Sequence, residues 1–194
     1  MFAVPASAQL IQYTTTGFFT GGGGTPCNTA LLGTGATCLY ANGSGLQYNG
    51  SPVENVVNGG TSGFGSFQTM GLTQQSFAGN LFTMQIVQTS PTVGTSPNIL
   101  GQITGSFSAS AQGGSGGLVW TPNFNTFSVG AVNYRLFVDN TGGINIEPPR
   151  AGGVMGDPQT IRGNVSVVPE PGTYLLMASG LAGLGIMAGR RRRA

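Results

Sequence analysis

Apolar and polar residues alternate with period two in short runs along this chain, and turn signals cut the runs apart. Successive side chains of an extended strand point to opposite faces, so this alternation marks strands with one face buried. Ile99, Gly101, Ile103, Gly105, Phe107 and Ala109 alternate with Gln102, Thr104, Ser106 and Ser108. Phe82, Met84 and Ile86 share one face of a second run, and Tyr134, Leu136 and Val138 share one face of a third. Ile161, Val165 and Val167 alternate with Arg162, Asn164 and Ser166. Shorter candidates are Leu10–Thr16, Val53–Val57, Phe64–Leu72 and Phe127–Val129. Between them stand Asn42-Gly43, Asn49-Gly50, Asn58-Gly59-Gly60, Ser90-Pro91 and Asn140-Thr141-Gly142, residues that tolerate positive φ or preset a bend. No stretch before Thr173 keeps a helical stripe for three turns. The pattern predicts an all-β body, an antiparallel β-sandwich of jelly-roll type. No internal repeat accompanies it, which argues against a solenoid or propeller.

Charge narrows the functions open to such a body. Charged residues make up 6% of the chain, against roughly 25% in an ordinary soluble domain. Lys and His are absent, and four of the seven cations are Arg190, Arg191, Arg192 and Arg193. Residues 1–189 keep three arginines against five carboxylates, a balance of −2. Nucleic-acid binding needs a basic face, and the body has none. Cys27 and Cys38 lie eleven positions apart. Without His or further Cys they cannot complete a tetrahedral zinc site. In an exported protein they are expected to form one disulfide, worth about 3 kcal/mol by loop entropy.

The termini speak of export. Ala6-Ser7-Ala8 before Gln9 has the A-x-A form of a signal-peptidase site, and Phe2 to Val4 resemble the end of an apolar leader. Residues 1–8 are therefore expected to be a signal-peptide remnant, with Ala6 and Ala8 marking the cleavage site, the mature chain beginning near Gln9 and Met1 a late start. At the other end come Val168-Pro169-Glu170-Pro171, an uncharged stretch from Thr173 to Gly189, and then Arg190 to Arg193. As a helix, those seventeen residues would span about 25 Å. The hydrocarbon core is about 30 Å thick, a difference that snorkelling arginines can bridge. Four arginines after an apolar run act as a stop-transfer signal held cytoplasmic. Each proline fixes its own φ and disfavours helix in the residue before it, so Val168 and Glu170 are expected to be extended just outside the membrane.

A Val-Pro-Glu-Pro-Gly-Thr run, a Gly-rich apolar helix and a terminal Arg cluster, in that order, resemble the PEP-CTERM sorting signal of Gram-negative bacteria. The Leu-Pro-x-Thr-Gly motif of sortase substrates is absent. The resemblance covers residues 167–194. It implies export and transient anchoring in the inner membrane. It also implies processing near Val168, Pro169, Glu170 and Pro171 by exosortase, followed by release or attachment at the cell surface. Co-occurrence with exopolysaccharide and biofilm systems is implied as well. The expected organisation is a secreted β domain over 9–167 and a sorting signal over 168–194. Within the signal, the motif occupies 168–172, a single transmembrane helix 173–189 and the Arg tail 190–193.

Catalytic patterns are few. Gly113-Gly114-Ser115-Gly116-Gly117 matches a nucleophile elbow in form, but that elbow requires a His base, and the chain has none; a flexible loop is expected there. Glu54, Asp139, Glu147 and Asp157 are the carboxylates that a glycosidase would have to use. The run from Asp139 to Glu147 offers oxygen ligands for Ca²⁺, though a hairpin turn explains it more simply. Trp120 and the tyrosines are the aromatics available for stacking on sugars, Trp120 being better suited to the core. The expectation is a non-enzymatic structural or adhesive surface protein without catalytic residues, metal or cofactor. The alternatives are a carbohydrate-active enzyme or a carbohydrate-binding module with the same tail.

Overall fold

The computed structural model describes residues 10–20, 28–71, 75–107, 116–120, 125–140, 142–150, 154–168 and 178–184. Two antiparallel sheets form the body. The first runs in the order β14 (Gly143–Ile146), β11 (Gly116–Trp120), β10 (Ile99–Phe107), β8 (Leu81–Ser90), β1 (Leu10–Thr20) and β5 (Glu54–Val57). The short strands β7 (Gln75–Ser76) and β9 (Gly94–Thr95) pair with β10 and β8. The second runs in the order β12 (Thr126–Val129), β13 (Val132–Leu136), β15 (Gln159–Val167), β6 (Gly60–Met70), β4 (Gly45–Asn49), β3 (Gly35–Leu39) and β2 (Asn28–Leu32).

Aromatic side chains from the two sheets meet in one core. Tyr13 of β1 stacks on Phe64 of β6 at 5.3 Å and meets Tyr134 of β13 edge-on at 5.6 Å. Phe82 of β8 packs 4.7 Å from Tyr48 of β4 and 4.8 Å from Phe67 of β6. Offset and edge-to-face pairs of this kind add to the free energy gained by burying ring area. Room for them depends on Gly17, where a Cβ would lie 2.6 Å from both the Phe82 and Tyr48 rings.

Strand β6 shows how local geometry corrects an out-of-phase sequence. Phe64 and Phe67 are three apart and would face opposite sides of a regular strand, yet both are fully buried. Opposite β15 the register advances from Thr160–Ser66 to Arg162–Gly63, three residues of β6 against two of its partner. The extra residue makes a β-bulge, and Gly65 there holds φ +98°. The bulge resets the alternation, so Phe64 and Phe67 both enter the core.

Polar groups drawn inside are hydrogen-bonded, with Trp120 Nε1 the exception among the described residues. The Tyr48 hydroxyl lies 2.7 Å from the Phe64 carbonyl and 3.1 Å from Thr15 Oγ1, which also accepts the Ser51 N–H at 2.7 Å. Tyr134 donates to Gln88 Oε1 at 2.8 Å, and Tyr13 to the Gly63 carbonyl at 3.1 Å.

The long alternating runs form strands as expected, with Phe82, Met84, Ile86, Tyr134, Leu136, Ile161 and Val165 all buried. Strand β1 continues past Thr16 to Thr20 because Thr15, Gly17 and Phe19 keep the inward phase. Gly116 and Gly117, expected in a flexible loop, instead open β11, paired with Gly105 and Thr104 on one side and Ile146 and Asn145 on the other. Gly113 to Ser115 lie outside the described residues.

Candidate functional site

The strand that leads into the tail is the second sheet's β15, held on both sides to its last residue. Val132 pairs with Val167 on the β13 side, and Gly60 pairs with Val165 on the β6 side. The Asn58-Gly59 turn between β5 and β6 adds a corner clamp. Gly59 N–H donates to the Val165 carbonyl at 2.9 Å, and Val167 N–H donates to Asn58 Oδ1 at 2.8 Å. Asn164 returns a bond from Nδ2 to the Gly59 carbonyl at 2.9 Å. One residue further, Val168 N–H donates to the Ala131 carbonyl at 2.7 Å, while its side chain is 44% exposed. Proline has no N–H to donate, so Pro169 ends the donor side of this ladder. In sequence, the Val168-Pro169-Glu170-Pro171 run begins directly after the last residue of β15.

Of the residues expected to carry function, Val168 stands at this exit. Pro169, Glu170, Pro171 and Arg190 to Arg193 lie outside the described residues, as do Ala6, Ala8 and Cys27. Cys38 is fully buried in β3, opposite Thr29 of β2. Residues 178–184 of the expected membrane span are helical and exposed. Among the described residues no helix is long and apolar enough to cross a membrane. The Asn58-Gly59 turn was visible in sequence, but its contact with a strand more than a hundred residues away had no local signal.

The carboxylates are spread over separate structural tasks. Glu54 accepts from the Ser62 hydroxyl at 3.4 Å. Asp139 closes a turn, its Oδ1 accepting from Gly143 N–H at 3.1 Å while its carbonyl accepts from Gly142 N–H at 3.0 Å. Asp157 forms an exposed ion pair with Arg150, and Glu147 is exposed. Among the described residues no three His, Cys, Asp or Glu side chains gather where a metal could bind. Trp120 sits in the core, as do Tyr13, Tyr40, Tyr48 and Tyr134. A depression of about 270 Å³ lined by Phe18, Phe19, Thr29, Ala30 and Ala36 offers no charged group among the described residues.

A two-sheet β body whose last strand runs directly into a proline-bracketed C-terminal tail defines the class: an exported protein with a sorting tail. The family described as the PEP-CTERM protein-sorting motif matches residues 167–193, beginning at the last residue of β15. The chain thus carries an exosortase-type sorting tail, which implies an exported protein with a membrane-anchored intermediate and processing by that membrane enzyme. No curated protein and no solved structure matches the chain.

Proposed function

We propose that the chain is a non-enzymatic structural or adhesive protein of the cell surface or extracellular matrix, delivered by its tail and associated with exopolysaccharide in biofilm. In this reading the body is a β-sandwich. Residues 173–189 cross the inner membrane with Arg190 to Arg193 on the cytoplasmic side, residues 1–8 remain from a signal peptide, and Cys27 is bridged to Cys38.

The observation that carries the reading is the chemistry of the outward strand faces beside such a tail. Thr61, Asn164, Thr160, Ser66, Gln47 and Gln68 line neighbouring positions across β15, β6 and β4. On the other sheet Thr16 stands opposite Gln85 and Gln12 opposite Ser90. Apart from the exposed Arg162 on β15 and Arg135 on β13, which share the second sheet's outward face, these are uncharged hydroxyls and amides, able to donate and accept without the strong hydration of ions. Neutral hydrogen-bonding surfaces of this type suit hydrated polysaccharide or like surfaces on other matrix proteins.

The test replaces Pro169, Glu170 and Pro171 together with alanine in the native host. Retention of the unprocessed chain in the inner membrane, with loss from the surface and matrix, is expected. Normal surface delivery of the substituted chain would overturn the proposal. So would a biofilm matrix unaltered by deletion of the whole protein.

A further inference from the structure

Five segments close a ring at the end of the body where β15 finishes. Leu10 pairs with Val57, and the adjoining Asn58 holds Val167. Val168 bonds to Ala131. A Cβ on Gly130 would lie 2.7 Å from Thr92 Oγ1, and Ser90 Oγ donates to the Leu10 carbonyl at 3.2 Å. None of these segments (residue 10, 57–60, 90–94, 129–132 and 167–168) contains Asp, Glu, Lys or Arg. Yet the ring exposes four aliphatic side chains: Val93 at 85%, Val57 at 53%, Leu10 at 45% and Val168 at 44%. Exposed apolar residues scattered singly need no explanation. These four share one end, and it is the end that carries the tail.

The tail's length says what lies opposite. From Val168 to Thr173, where the uncharged run begins, the chain can reach at most about 18 Å even fully extended. If that run is in the bilayer, this end of the body is tethered against the membrane surface. The five segments themselves carry no charged side chain, so they give up no ionic hydration on entering the headgroup region, and their aliphatic groups gain by leaving water. We propose that this charge-free apolar end docks on the outward-facing lipid surface of the membrane while the tail is attached, and comes free when the tail is removed. The proposal rests on the membrane-anchor reading given above. Docking would hold the proline-bracketed motif at the bilayer surface, within reach of a membrane-embedded enzyme.

The experiment uses the full chain reconstituted with phosphatidylcholine vesicles, in two versions, each read against the parent chain, whose single Trp120 is buried. Val93→Trp places an indole on the docking rim. Leu81→Trp places one at the opposite end of β8, nine residues from Ser90, or about 30 Å away. Flotation with the vesicles tests the anchor; quenching by brominated lipid and by aqueous acrylamide tests the docking. The expected result is flotation of both, with bromolipid quenching and acrylamide shielding of the Val93→Trp indole alone. Flotation with both indoles equally open to acrylamide would overturn the docking and leave the anchor standing. Shielding at Val93→Trp without bromolipid quenching would mean that a second copy of the chain covers the rim, which also overturns it. Failure to float would remove the anchor reading, and the docking with it.

Discussion

Gly65 shows how much of this fold hangs on single positions without side chains. Its φ of +98° suits glycine, and a Cβ there would lie 2.5 Å from the Tyr48 hydroxyl and 2.6 Å from the Asn49 carbonyl. Gly65→Ala therefore combines left-handed strain with overpacking, and is expected to cost about 2–4 kcal/mol. Urea denaturation would measure the loss, and an unchanged midpoint would contradict the bulge's role. The buried tyrosines tie the stability of the fold to pH. Burial pushes the Tyr13, Tyr48 and Tyr134 hydroxyls well above the usual phenol range, with the hydrogen bond to Ser62 partly opposing it at Tyr13 and that to Thr15 at Tyr48. A folded-state pKa raised above the unfolded one means full stability below the unfolded value and progressive loss above it. The fold should therefore weaken as pH rises past about 10. Phenolate absorbance of these three should appear together with the loss of β circular dichroism. Complete tyrosine ionisation near that pH in a protein with unchanged circular dichroism would contradict it.

Strand β15 links sheet to tail, and its final hydrogen bonds are the part most open to test at the scale of elements. Asn58→Ala removes the acceptor for Val167 N–H and is expected to cost about 1 kcal/mol. It should also speed amide exchange at Val167 and Val168 while leaving Tyr134 and Ile161 protected. Exchange followed by NMR would read this directly, and uniform protection along β15 would contradict the clamp. How legible each strand was in sequence follows from what faces inward. Strands β8, β10, β13 and β15 put large apolar residues at alternate positions and declared themselves. The hairpins from β2 to β4 did not. Gly35, Ala36, Thr37 and Cys38 are buried in succession, so period two disappears there. In β1 the inward Thr15 and Gly17 looked polar or empty, because one serves a buried hydrogen bond and the other makes space for two rings.

Across the whole molecule, the tail was more legible than the body it carries. Prolines, an uncharged run and terminal arginines are local in sequence, so the sorting motif could be identified from consecutive residues alone. The exit site is made of contacts of residue 58 with 167 and of residue 131 with 168, which no local pattern connects. The first residue of β1, Leu10, lies at the same end as Val168, joined to it through Val57, Asn58 and Val167. In the proposed function, this end holds a handle which is removed after export. Intact-mass measurement of the protein recovered from its host tests it most directly. The expected chain begins near Gln9, ends close to the Val168–Pro171 motif, lacks Arg190 to Arg193, and carries one disulfide in place of two thiols. Cytosolic chains that retain all four arginines and both thiols would contradict it.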